Sequence, residues 1–100
     1  MALEINIINK SLNKLTQKAF IYVEGQQNTL DMKRLKSDET DQIKIPTTTT
    51  DLAKNIMLSY LNTDSAIINT KIGQVTSLTQ TMQLDIIEIT PQGTIRYKIQ

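Results

Sequence analysis

The chain contains no cysteine, no histidine and no tryptophan. Without cysteine there are no disulfides, no thiol catalysis and no thiolate-bound zinc or iron–sulfur site. Without histidine the commonest general base, the commonest metal ligand and any Ser-His-Asp triad go too. An enzyme could still work with paired carboxylates, a lysine or a tyrosine. Such a site needs a concave pocket, which a lean domain of 100 residues seldom forms alone. The expectation is therefore a non-enzymatic protein with no catalytic, cofactor-binding or metal-binding residues.

Aromatic side chains are also scarce: Phe20, Tyr22, Tyr60 and Tyr97 are all there are. That is too little to favour carbohydrate binding, and it leaves the core to isoleucine and leucine. Burying one such side chain is worth about 1.5–3 kcal/mol, so a core is feasible but has little stability to spare. Glycine is limited to Gly25, Gly73 and Gly93. They are isolated, so no phosphate-cradling loop is present and each reads as a turn glycine. The net charge is +1, which implies no strong field toward nucleic acid or anionic lipid. No stretch approaches the roughly 20 apolar residues of a membrane-spanning helix. Met1–Lys10 carries Glu4, Asn6 and Asn9 where a secretory segment would be apolar. With Met1 as the native start, the expectation is a soluble, cytoplasmic protein. Richness in Ile, Asn, Lys, Thr and Gln suggests an AT-rich bacterial or phage genome.

Short alternating runs separated by polar turns dominate what is there. Leu3, Ile5 and Ile7 alternate with Glu4 and Asn6, a strand period. Phe20–Val23 is a β-branched and aromatic run that stops at Gly25, and Gln26–Asn28 continues the turn. Leu30 and Met32 share a face. Ile43 and Ile45 precede Pro46, which suits a strand end or an edge. The segment 52–61 has two readings. Thr50 or Asp51 could cap a short helix. Alternatively, Ile56, Leu58 and Tyr60 alternate with Met57, Ser59 and Leu61 in a strand covered on both faces. The strand agrees with its neighbours and is preferred. Ala66–Ile72 reads as a strand broken by Gly73.

The last quarter is the most specific. Thr90-Pro91-Gln92-Gly93 places proline and glycine as a type I turn requires, closing a short hairpin loop with Gly93 in the left-handed region. The implied register sets Thr90 against Thr94, Ile89 against Ile95, Glu88 against Arg96 and Ile87 against Tyr97. Met82, Leu84 and Ile86 are out of phase with Ile87 and Ile89, so a bulge near Asp85–Ile86, or burial of both faces, is expected. About seven short strands at this spacing make one all-β domain over 1–100, a small β-sandwich. The rhythm of Ile5–Ser11 followed by Phe20–Gly25 resembles that of immunoglobulin-like and related sandwiches. Many unrelated folds share it, so it implies no site residues.

Two clusters carry alternative chemistry. Lys10, Lys14, Lys18, Lys33 and Arg34, beside Tyr22, could line a basic groove with a stacking ring, as in small single-strand-binding β-barrels. The balanced net charge disfavours it. Asp38, Glu39 and Asp41, joined by Asp64, could form an oxygen-rich Ca²⁺ site and make a Ca-dependent binding module, but they lack EF-hand spacing; a solvated turn is the simpler reading. The run Thr47–Thr50 reads as an extended connector. The favoured function is a protein–protein interaction or accessory module, docking on a partner or on itself by strand addition or face-to-face packing; no membrane partner is expected.

The hairpin reading makes one sharp prediction. Gly93→Val should destabilise by more than about 1 kcal/mol, because a β-branched residue resists positive φ. Urea denaturation measures it, and an unchanged midpoint would refute the hairpin.

Overall fold

The computed structural model describes residues 1–27 and 29–100. Asn28, read above as part of a turn, lies outside the described residues. Among the described residues eight strands and one 3₁₀ turn follow one another: β1 (Ala2–Asn9), β2 (Ala19–Val23), β3 (Leu30–Asp31), β4 (Thr40–Pro46), the turn (Thr49–Asp51), β5 (Asn55–Leu61), β6 (Ile67–Gln74), β7 (Gln80–Ile89) and β8 (Ile95–Ile99). They form two four-stranded sheets, sheet I in the order β4-β1-β7-β8 and sheet II in the order β3-β2-β5-β6. This is the small β-sandwich expected from the sequence. Neighbouring strands are antiparallel except β1 and β7, which run parallel. No helix is long and apolar enough to cross a membrane among the described residues.

The layers follow from the period-two pattern. β1 buries Leu3, Ile5, Ile7 and Asn9 in strict alternation, and β2 buries Ala19, Ile21 and Val23. Ile43 and Ile45 come from β4, Ile56, Leu58 and Tyr60 from β5, and Leu84 and Ile86 from β7, to complete one aliphatic core between the sheets. Tyr60 points its ring into that core, and its hydroxyl accepts the Ile95 N–H at 3.2 Å, linking the sheets. At the open side the Tyr97 hydroxyl, from β8, donates to the Lys71 carbonyl of β6 at 3.3 Å.

Several expectations are corrected. The alternative of a helix at 52–61 is replaced by β5; the helical part is only the turn Thr49–Asp51. Asp51 accepts the Thr48 N–H at 2.7 Å, closing that turn, and its carboxyl is held below the usual range mainly by this bond. The chain then leaves it through Ala53 at φ +68°. The threonine run is therefore no plain connector: Thr47 is buried, with its hydroxyl on the Leu78 carbonyl at 2.5 Å, and Thr48 begins the turn. Gly73 does not break β6 but lies inside it, where the pairing with β5 shifts.

The hairpin holds, with one change. Gly93 has φ +83°, and a Cβ there would come within 2.9 Å of the Thr63 nitrogen, so backbone approach adds to the conformational demand. Ile89 pairs with Ile95 and Glu88 with Arg96, but Tyr97 pairs with Ile86, not Ile87. The bulge falls at Ile87. Moving the irregularity there lets Ile86 and Ile89 both face the core, at the cost of leaving Ile87 47% exposed.

The passage from sheet I to sheet II turns on Asn9, which is 0% exposed. Its amide nitrogen donates to the carbonyls of Leu35 at 3.0 Å and Asn13 at 2.9 Å. Its amide oxygen accepts the Ser11 N–H at 3.0 Å and the Ser11 hydroxyl at 2.6 Å. The side chain thus uses both donors and both lone pairs. Its backbone is also engaged, donating to Glu39 at 3.0 Å and accepting from Asp38 at 2.6 Å. Replacement by alanine orphans several buried partners, each costing about 1–3 kcal/mol. Asn9→Ala should therefore lower unfolding free energy by about 3 kcal/mol, measured by chemical denaturation. A loss below about 1 kcal/mol would show that water takes over the amide's role.

Candidate interaction surface

The two outer faces of the sandwich differ in chemistry. On sheet I most outward residues are polar and several are joined to one another, although Ile8 of β1 lies outward in the row of Asp85. Glu4 and Asn6 of β1 lie opposite Lys44 and Gln42 of β4. The Gln42 amide donates to the Glu4 carboxylate and, at 2.9 Å, to the Asn6 side-chain oxygen. Asn6 lies opposite Gln83 on the other side. Next along β7, Asp85 is only 1% exposed yet faces outward. It accepts Lys10 Nζ at 2.9 Å, Gln83 Nε2 at 2.9 Å and Gln100 Nε2 at 2.6 Å. The Lys10 ammonium foremost, then the Gln83 amide, hold its carboxyl below the ordinary range against the opposing effect of burial.

On sheet II apolar and polar outward residues are mixed, with Asn55, Ser59, Asn69, Lys71 and Asp31 sharing the face with an apolar group. Because Ala19, Ile21 and Val23 point inward, Phe20 and Tyr22 point outward, both half-buried. Their ring centroids are 6.2 Å apart and tilted by 35°. β5 places Ser59 beside Phe20 and Met57 beside Tyr22. β6 continues both rows, with Asn69 opposite Ser59, Lys71 opposite Met57, and Ile67 opposite Leu61 one row on. Ile67 is 66% exposed. Ser59 is buried at the base of the face, its hydroxyl on the Asn69 side-chain oxygen at 2.5 Å. At the far edge Asp31 of β3 lies opposite Phe20. The face is thus an aromatic column on β2 and a thioether and aliphatic column on β5, with an acid at one edge and a base at the other.

The residues singled out from the sequence are dispersed. Lys10 is committed to Asp85 on sheet I. Lys33 lies 3.8 Å from Asp41, on the β4 side of the same sheet. Lys14 lines a cleft of about 440 Å³ beside the hairpin tip. Lys18 precedes β2, and Arg34 is exposed after β3. Tyr22 is on sheet II, and the cation in its row is Lys71, which the sequence reading did not select. Tyr60 is buried and Tyr97 is tied to β6, so the outward-facing rings belong to Phe20 and Tyr22.

The acidic residues are used locally. Glu39 accepts the Lys36 N–H at 2.7 Å, and Asp41 accepts those of Lys33 at 3.1 Å and Gln42 at 2.8 Å. Asp64 sits in the separate turn between β5 and β6. Among the described residues no three His, Cys, Asp or Glu side chains gather as a metal site would require.

A second concavity, of about 600 Å³, lies between the loop Ser11–Asn13 and the bulged end of β7. Leu12, 95% exposed, and Ile87 line it, with the Glu88–Arg96 ion pair on its rim. Comparison with family models, with curated proteins and with solved structures gives no match.

What sequence reading missed is the grouping of Phe20, Met57, Leu61 and Ile67 with Tyr22. The signal was there: β5 carries apolar residues in both phases of its alternation, so one set had to face away from the core.

Asp85 supplies a pH test of the polar face. A carboxyl held below its unfolded value adds stability above that value and loses it as pH falls through the folded one. Asp85→Asn should therefore be less stable than wild type at neutral pH, with the gap closing as pH falls below about 4. Urea midpoints across pH measure this, and a constant gap would mean the charge is not what the site holds.

Proposed function

We propose that this chain is a non-enzymatic protein–protein interaction module that docks through the outer face of sheet II. The observation that carries the reading is the contrast between the two outer faces. In a sandwich each outer face ordinarily shows water a polar row. Sheet I does so apart from Ile8, with Glu4, Asn6, Gln42, Gln83 and Asp85 hydrogen-bonded among themselves. Sheet II instead presents Phe20, Tyr22, Met57 and Ile67. Apolar patches rimmed by polar residues mark contact sites, and aromatic residues and methionine are enriched at the centre of interfaces. The depletion of catalytic residue types in the sequence agrees with a binding role.

Tagged chain mixed with lysate of the source cell and untagged chain, with and without nuclease, tests this against Tyr22→Lys and Met57→Glu variants. Protein retained by the wild type after nuclease, and lost with both variants, is the expected outcome. Partners lost on nuclease treatment would overturn it in favour of nucleic acid, as would salt-sensitive binding to single strands. Retention unchanged by the variants, or nothing retained, would also overturn it.

A further inference from the structure

We infer that the occupant of this face is a second copy of the chain, joined about a two-fold axis that runs parallel to the strands between β2 and β5. The inference rests on the proposed docking role and names its partner. A two-fold interface must be complementary to itself, and this face is divided in a way that satisfies that demand. With the axis along the strands, β2 of one copy lies over β5 of the other. Tyr22 then meets Met57 of the second copy, and Met57 meets its Tyr22, a favourable pairing of sulfur with an aromatic ring. Phe20 comes over the row of the second copy's Ser59, which is buried, so the ring meets the residues that cover that serine. The strands of the two copies remain aligned, the usual relation of sheets stacked about 10 Å apart.

Charge selects the same axis. Asp31 stands at the β3 edge and Lys71 on β6, the opposite edge. The axis along the strands lays β3 over the second copy's β6, with Asp31 over Asn69 and Lys71 two residues further along the same strand, so each acid edge lies against the other copy's basic edge with the charges one row apart. The alternative axis, in the plane but across the strands, lays β3 over β3 and β6 over β6. Because the two charges sit in different rows, such an axis sets Asp31 on Asp31 at one row or Lys71 on Lys71 at the other, and between the rows leaves each like pair two residues apart, with β2 lying on β2 in every case. Like charges brought together at an interface are strongly disfavoured.

Sedimentation equilibrium of the whole chain, from micromolar to submillimolar concentration, tests the inference. The wild type should be a reversible dimer. Asp31→Lys or Lys71→Glu alone should weaken the dimer by about tenfold or more, and Tyr22→Lys should abolish it. The double variant Asp31→Lys/Lys71→Glu should recover most of the wild-type affinity, which a fold defect would not do. Thermal melts confirm that each variant is folded. A wild type that stays monomeric while Tyr22→Lys still abolishes capture of another protein overturns the inference and leaves the docking role standing. A dimer indifferent to all of these variants overturns both, and would point to the Leu12 and Ile87 concavity as the contact.

Discussion

The sandwich depends on the buried amide of Asn9. Two sheets can share a core only if the chain passes between them, and any such crossing carries backbone polar groups away from water. At the end of β1 the chain leaves sheet I, and at the same place the segment between β3 and β4 returns to it. Both segments expose carbonyls and N–H groups toward the interior. One asparagine satisfies them on both sides, holding Ser11 and Asn13 of the first and Leu35 of the second. An apolar residue could fill the volume but would leave those groups unpaired. The aliphatic core then packs against a fixed crossing, and the parallel contact of β1 with β7 continues up to it, where the Lys10 N–H donates to the Ile86 carbonyl at 2.8 Å.

The outer faces show how much freedom remains once that core is fixed. Neither outer face is needed to hold the sheets together, so the two are free to differ in chemistry. On sheet I Glu4, Asn6, Gln42, Gln83 and Asp85 form a lattice of amides and carboxylates that satisfy one another. It also shields the backbone with Lys44 and Pro46 on the edge strand β4, features that discourage further strand pairing. Sheet II carries rings and a thioether over a sunken serine, an arrangement that gains little in water and much against a complementary surface.

Much of the fold was legible because it is local. Alternation in Leu3–Ile7, the turn chemistry of Thr90–Gly93 and the strand character of Ile56–Tyr60 are all written in neighbouring residues. What was not legible depends on distance along the chain. Nothing near Leu3 says that it will lie beside Gln80 in parallel. The period of two signals a phase break between Leu84 and Ile89 but not which residue is extruded, since several placements bury the same isoleucines. The lysines were grouped by closeness in sequence, whereas the fold commits Lys10 to Asp85 and Lys33 to Asp41, partners supplied by other strands. The outward row of sheet II needed the pairing of β2 with β5 before its members could be seen as one surface.

The extruded residue has a further meaning. Without Ile87, the run from Leu84 to Ile89 would alternate regularly, with Asp85 and Glu88 outward and Leu84, Ile86 and Ile89 inward. Ile87 is thus a one-residue insertion that the sheet has absorbed without moving its core. Most strand positions in a sandwich cannot gain or lose a residue, because every side chain beyond the change would swap faces. Here, as where β6 skips Ile72 against β5, chain length is uncoupled from packing. The extra residue sits where it borders the Leu12 concavity and faces solvent, leaving the core side chains on either side of it in phase.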